Sequence, residues 1–185
     1  DDSSISITSF IFGDEVKYIP NALCESMTNL TSVSIPNSVT SIGNRAFWDC
    51  SSLKSITIPN NVTTIGDNAL KGCSSLTSVV WNAKKCDDPD SSIWGYDSIP
   101  ITSFTFGHDV ERIPAHLCQN MIKLTSISIP NSVTSIGNSA FEDCSSLKSI
   151  TIPNNVTTIG DRAFEWCSSL TFVRIPNSVT YLGNS

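Results

Sequence analysis

Residues 30–52 read LTSVSIPNSVTSIGNRAFWDCSS, and residues 53–75 read LKSITIPNNVTTIGDNALKGCSS. The second stretch repeats the first in its spaced apolar residues and in its Pro, Gly and Cys. The opening residue recurs at Ile7, Leu30, Leu53, Leu76, Ile101, Leu124, Leu147 and Leu170, in steps of 23 residues except for one step of 25 after Leu76. Self-similarity at such a period is the mark of stacked coils, each too small to bury its own apolar face. The 185 residues are therefore expected to form a single solenoid of about eight coils, with an irregular coil at 76–100 and a last coil cut short.

Within the coil that starts at Leu30, the apolar positions are Leu30, Val33, Ile35, Val39, Ile42, Ala46, Phe47 and Cys50. Val33 and Ile35 alternate with Ser32 and Ser34, the period of a strand with one buried face. Pro36 has no amide hydrogen for a ladder and ends that strand. A second extended piece, Val39 to Ile42, leads to Gly43. The equivalent position holds Pro20 and Pro114 in two other coils, and Pro is locked at negative φ. This corner is thus expected to have negative φ in every coil, with Gly43 chosen for closeness. Because Pro favours the first position of a helix, Asn44–Asp49 is expected to form a short helical turn.

Seven cysteines suggest disulfides until their register is compared. Cys50, Cys73, Cys144 and Cys167 share the twenty-first position of the unit with Met27 and Met121, and Cys24 and Cys118 share the eighteenth with Phe47, Leu70, Phe141 and Phe164. Cysteine that exchanges with Met, Phe and Leu behaves as a small buried apolar residue. A ladder of buried free thiols is expected, with Cys86 alone outside the register.

After Trp81 the fourth coil reads NAKKCDDPDSSIWGYDSIP and then returns to register, so that residues 101–170 repeat residues 7–76 at an offset of 94. The segment 82–100 is the joint of a repeat of a repeat.

The punctuated pattern LxxIxIPxxVxxIGxxAFxxCxx resembles the BspA-type leucine-rich repeat and runs from Ile7 to the end, apart from the joint. Ordinary leucine-rich repeats have LxxLxLxxN and a longer helix, and this chain lacks their asparagine ladder. The resemblance implies a right-handed, β-rich α/β solenoid with a parallel sheet on the concave face and short helical turns on the convex face. It also implies a bacterial cell-surface or secreted protein that adheres to host or bacterial surface proteins. It brings no catalytic residue and no cofactor.

With 15% charged residues and a net charge of −6, the chain has no basic stripe to track nucleic acid. It has no apolar run long enough to span a membrane. Starting at Asp1, it reads as a mature or excised fragment in which a missing targeting signal is uninformative. Its two histidines, His108 and His116, lie outside the repeat framework, and no nucleophile motif surrounds any serine, so catalysis is not expected. The run Asp87, Asp88, Pro89, Asp90 lacks the rest of a calcium loop and reads as an acidic turn.

The outward positions of the first strands form a carpet of Ser and Thr, broken by Lys54, Lys148, Phe172 and Arg174. Trp48 and Trp166 fall on the turns, where each is either exposed or packed over a neighbouring turn, and Trp94 and Tyr96 fall in the joint, where they either meet a partner or plug the joint's own core. These eight residues are the candidate binding positions, since aromatic and Arg side chains anchor partners while hydroxyls seldom do. Three readings stay open: a recognition or adhesion module for proteins, a carbohydrate-binding segment centred on Trp94 and Tyr96, and a spacer. The sequons at Asn29, Asn61 and Asn155 would matter only in a eukaryotic secretory host.

Overall fold

The structure, a computed structural model, describes residues 6–95 and 99–184. It is a parallel β-solenoid of about seven turns, built like a leucine-rich repeat. Two columns of short strands run along it. The first contains β1 (Ser9–Ile11), β3 (Ser32–Ser34), β5 (Ser55–Ile58), β7 (Ser78–Trp81) and β8 (Ser103–Phe106). The second contains β2 (Tyr18–Ile19), β4 (Ser41–Ile42), β6 (Thr64–Ile65), β9 (Arg112–Ile113), β10 (Ser135–Ile136), β11 (Thr158–Ile159) and β12 (Tyr181–Leu182).

Pairing follows the repeat. Ser9 stands beside Ser32, Ser55 beside Ser78, and Ser41 beside Thr64. Across the joint, β7 and β8 pair Val79 with Phe104, a step of 25 that absorbs the two extra residues. The first column is interrupted: β1 pairs only with β3, β5–β7–β8 form a second patch, and a lone bridge joins Ser126 to Ser149. The second column is more regular, as β2–β4–β6 and then β9–β10–β11–β12. Threonine hydroxyls reinforce it by bonding the carbonyl one coil back, as from Thr63 to Thr40 (3.2 Å) and from Thr157 to Thr134 (3.2 Å).

Each apolar position stacks on its equivalent one coil away. Leu30, Leu53, Leu76, Ile101, Leu124 and Leu147 are all buried, as are Val39, Val62, Val110, Val133 and Val156. Such ladders leave each coil's inner face covered on both sides, which an isolated coil cannot achieve. At the joint, the buried Trp81 and Phe104 rings lie with their centroids 6.5 Å apart.

The corner is as close as expected. Gly43 lies outside the positive-φ region, and a Cβ on it would lie 2.6 Å from the Asn21 amide nitrogen and 2.8 Å from the Pro20 carbonyl carbon. The crowding comes from backbone of the preceding coil, which cannot swing aside. Gly43→Ala is therefore expected to lower stability by about 3 kcal/mol, the upper part of the usual overpacking range. A thermal melt within a degree of the parent chain would show that the coils slide apart at no cost.

The turns correct the expectation of a helix. Among the described residues there is no helix, and over residues 45–50 the amides alternate between two destinations. Ala46, Trp48 and Cys50 bond within the coil, to Gly43, Arg45 and Phe47. Arg45, Phe47 and Asp49 donate forward instead, to Asp67 (3.0 Å), Ala69 (2.8 Å) and Lys71 (2.8 Å) of the next coil. A helix would direct its amides to carbonyls four residues back in the same coil, whereas here every second one crosses to the next coil. The left-handed residues that aim the peptide planes outward are Arg45 (φ 56°) and Asp49 (φ 55°), and their equivalents recur as Asn68 and Gly72, His116 and Asn120, and Ser139 and Asp143. The cost of about 1–2 kcal/mol for a left-handed residue is offset by the ladder bond that it aims.

The fifteenth position adds a further ladder. The Asn21 side-chain oxygen accepts the Asn44 amide (2.8 Å), Asn44 accepts Asp67 (2.9 Å), Asn138 accepts Asp161 (2.9 Å) and Asp161 accepts Asn184 (2.8 Å).

The joint is stitched to its neighbours by substitutes. Asp87 donates its amide to Thr63 (2.8 Å), while the Lys84 carbonyl accepts from Glu111 (2.9 Å). Asp88 takes the place of the missing side-chain ladder member by accepting the Ala115 amide (2.6 Å), and its other oxygen pairs with Arg112. Lys84 and Lys85 both reach Glu111, at 3.1 and 3.0 Å, and hold that carboxyl below its ordinary range.

Candidate functional site

The first strands present their hydroxyl carpet to solvent, and Thr31 and Thr102 spend theirs on the carbonyls of Thr8 (2.9 Å) and Thr77 (3.3 Å). Against that uniform surface one groove stands out, about 490 Å³, between the seventh and eighth coils. Its floor and walls include Ile150, Ile152 and Pro176, and Lys148, Phe172 and Arg174 rim it. Three of the eight candidate residues thus converge. Phe172 is 72% exposed, while Lys148 and Arg174 lie open on the surface. No carboxylate is among the residues that line the groove, so it is locally cationic in a chain of net charge −6. A mixed polar and apolar lining, one free aromatic ring and an Arg fork form the kind of surface that anchors a partner.

The other candidates are scattered. Lys54 is exposed on the same face, in the third coil, outside the groove. Trp48 lies half-buried on a turn, with the Arg45 guanidinium 4.4 Å and the Lys71 ammonium 4.9 Å from its ring centroid, so its own cations occupy it. Trp166 is 64% exposed and sits at φ 57°, where a bulky side chain is seldom held. Trp94 is buried, and its indole nitrogen donates to the Leu117 carbonyl at 2.7 Å. Of its two readings, a sugar-stacking platform and a plug for the joint's own core, the burial of Trp94 favours the plug. Tyr96 lies outside the described residues.

The chemistry-bearing residues are engaged structurally. His116 Nδ1 lies 3.0 Å from Gln119, which in turn donates to Glu142 (3.0 Å). His108 is exposed beside Asp109. All seven cysteines are free and buried. The thiol of each twenty-first-position Cys points at the eighteenth-position carbonyl of the preceding coil, Cys50 at Cys24 (3.1 Å) and Cys73 at Phe47 (3.2 Å), and Cys144 and Cys167 repeat this. Burial pushes Cys24 and Cys167 up to about 11 and Cys50 and Cys86 up to about 12. A thiol held so far from its thiolate is a poor nucleophile and a poor metal ligand.

Sequence reasoning missed the groove's floor and the cations around Trp48. Ile150 and Ile152 read as ordinary strand residues, and nothing in their own coil marks the gap beside them. Arg45 and Lys71 stand in different coils, 26 residues apart, where only the stacking reveals their meeting.

Residues 2–114 and 91–185 match the family described as the BspA type leucine rich repeat region, in six copies. The chain belongs to that family. No curated protein matches it. Among solved structures, a leucine-rich repeat protein from Eubacterium ventriosum is similar to this BspA-type chain at 26% identity and a TM-score of 0.59, over 96% of this chain and 41% of that one. T. pallidum leucine rich repeat protein gives 24% identity and a TM-score of 0.60, over 95% and 73%. A leucine rich cell surface protein from Faecalibacterium prausnitzii gives 21% identity and a TM-score of 0.53, over 95% and 60%. The latter two likenesses show the fold alone. The BspA-type chain thus spans less than half the length of its Eubacterium ventriosum relative.

Proposed function

We propose that this BspA-type chain is a non-enzymatic recognition module of a bacterial cell-surface or secreted protein, and that it takes a protein partner in the groove rimmed by Lys148, Phe172 and Arg174. The groove carries this reading: it brings two cations and a free aromatic ring together with apolar lining on a face made mostly of hydroxyls. A partner that fits it is an extended segment with acidic side chains, which Arg174 can hold in a fork and Lys148 as a point charge. The family relationship supports the cellular setting. The burial of Trp94 tells against the carbohydrate reading.

The test is a binding screen against immobilised matrix glycoproteins and free glycans, with Phe172→Ala, Arg174→Ala and Lys54→Ala variants. A protein ligand should bind the Phe172→Ala and Arg174→Ala chains about tenfold or more weakly, which is the scale of one anchor residue. Lys54→Ala should bind as the parent does. Equal binding by all three variants would move the site away from the groove. No binding by any chain would favour the spacer.

A further inference from the structure

The groove rimmed by Lys148 and Arg174 fits an extended segment that brings carboxylates, and this chain carries one. Residues 87–90 of the joint read Asp-Asp-Pro-Asp. Asp88 is turned to the stack, where it accepts the Ala115 amide (2.6 Å) and pairs with Arg112. Asp87 and Asp90 are exposed, and their carboxylates hold no ion pair among the described residues. The backbone makes no turn from residue 86 to 89. It is held by the Asp87 amide on the Thr63 carbonyl (2.8 Å), and Pro89 fixes one of its dihedrals. The segment is thus ordered before a partner arrives, and docking it forfeits little conformational freedom.

Segment and groove match in sign and in spacing. No carboxylate lines the groove. Lys148 holds the second position of its unit and Arg174 the fifth position of the next. Three residues along an extended chain and one strand spacing across set their Cα atoms about 11 Å apart. Asp87 and Asp90 are also three residues apart, so an extended backbone sets their Cα atoms about 10–11 Å apart. The exposure of Phe172 and Arg174 belongs to the face on which they stand. The same third and fifth positions are exposed in coils with a neighbour on both sides, as at Ser55 and Thr57 and at Ser103 and Thr105.

We infer that the partner in the groove is a second copy of this chain, whose segment 87–90 sets one carboxylate on Arg174, the other on Lys148, and Pro89 against the Phe172 ring; this rests on the groove being the binding site proposed above. Segment and groove are different patches of one chain. Each contact therefore leaves a groove open on one copy and a segment open on the other, and copies join head to tail.

Sedimentation velocity across a concentration series tests this, with circular dichroism to confirm folding. At about 0.15 M salt, charges more than about 8 Å apart are largely screened, so the net charge of each copy weighs little against the contact. The parent chain should self-associate. Asp87→Asn/Asp90→Asn should associate at least about tenfold more weakly, the scale of one charge-assisted pair, and so should Lys148→Ala/Arg174→Ala. The first variant lowers the net charge from −6 to −4, so general repulsion alone would move it the opposite way. Asp14→Asn/Glu15→Gln makes the same change of charge elsewhere and should not weaken association. Mixing the two weakened variants should restore one contact, the intact segment of one on the intact groove of the other, and give a pair that grows no further. A parent chain that stays monomeric up to about 1 mM, or a mixture that stays monomeric, would overturn the inference. A hexaglutamate peptide then separates the two readings. If it binds the parent and not Lys148→Ala/Arg174→Ala, the groove remains a site for a different acidic partner; if it binds neither, the groove reading fails as well.

Discussion

Raising the pH from 9 to 11 is expected to unfold the chain, with the buried thiols setting the slope. All seven cysteines keep their protons in the folded state well above the ordinary range. The first cause is burial in each case, and neighbouring thiols add to it at Cys50, Cys73, Cys118 and Cys144. In the unfolded chain the same thiols ionise near pH 9. Between pH 9 and about 11 the folded state therefore binds more protons than the unfolded state, and stability falls as pH rises. Each thiol contributes on the order of 1 kcal/mol per pH unit in that window. Seven together approach the whole stability of an ordinary domain, about 5–15 kcal/mol, within roughly one unit. Below pH 9 the thiols are protonated in both states and have no effect. A titration followed by circular dichroism measures the slope. Cys73→Met should reduce it by about one proton, because Met27 and Met121 already fill that position in other coils. An alkaline midpoint indifferent to Cys73→Met and Cys144→Met would place the sensitivity elsewhere.

The second large effect is expected from Trp94→Ala. Removing a buried indole typically costs about 3–5 kcal/mol through lost transfer energy and the cavity left behind. Here the Leu117 carbonyl also loses the donor that reaches it at 2.7 Å. At about 2–4 °C per kcal/mol for a chain of this size, the melting temperature should fall by roughly 10 °C or more. Trp94→Phe keeps most of the volume and gives up the hydrogen bond, and should lose about 1 kcal/mol. Calorimetry decides between packing and recognition. A Trp94→Ala chain that melts like its parent yet fails to bind a partner would mean that the indole serves a ligand and not the joint.

Much of this architecture could be read along the chain, and what could not has a common reason. The strand at Val33 and Ile35, the apolar cysteines and the close corner at Gly43 are each decided by residues within one coil or by comparison of equivalent positions. The turn over Asn44–Asp49 is decided 23 residues later, because every second amide leaves for the next coil. Proline at 20 and 114 suggested the first residue of a helix, a sound inference for an isolated segment; in the stack neither is followed by one. The recurrence of Asp, Gly or Asn at 49, 72, 120 and 143 was the visible trace of the left-handed turns, since these residues accept that conformation most readily. At the candidate site, Phe172 and Arg174 were legible as departures from the carpet. The groove between them and Lys148 was not, because it is a spacing between coils and no single coil encodes it. Trp94 had two readings on composition alone, and only its burial and its bond to the Leu117 carbonyl in the stack decide for the interior.

The forward-donating amides carry one more consequence, for a chain held at its two ends. Because those bonds join coil to coil, tension applied along the stack acts on every junction in series, and the weakest junction alone sets the force at which the chain yields. A coil that comes away frees 23 residues, about 75–80 Å of slack, where it had occupied about 5 Å of the stack. Tension then drops before the next junction is strained. The solenoid would lengthen under pull in coil-sized steps and return coil by coil when the pull is released.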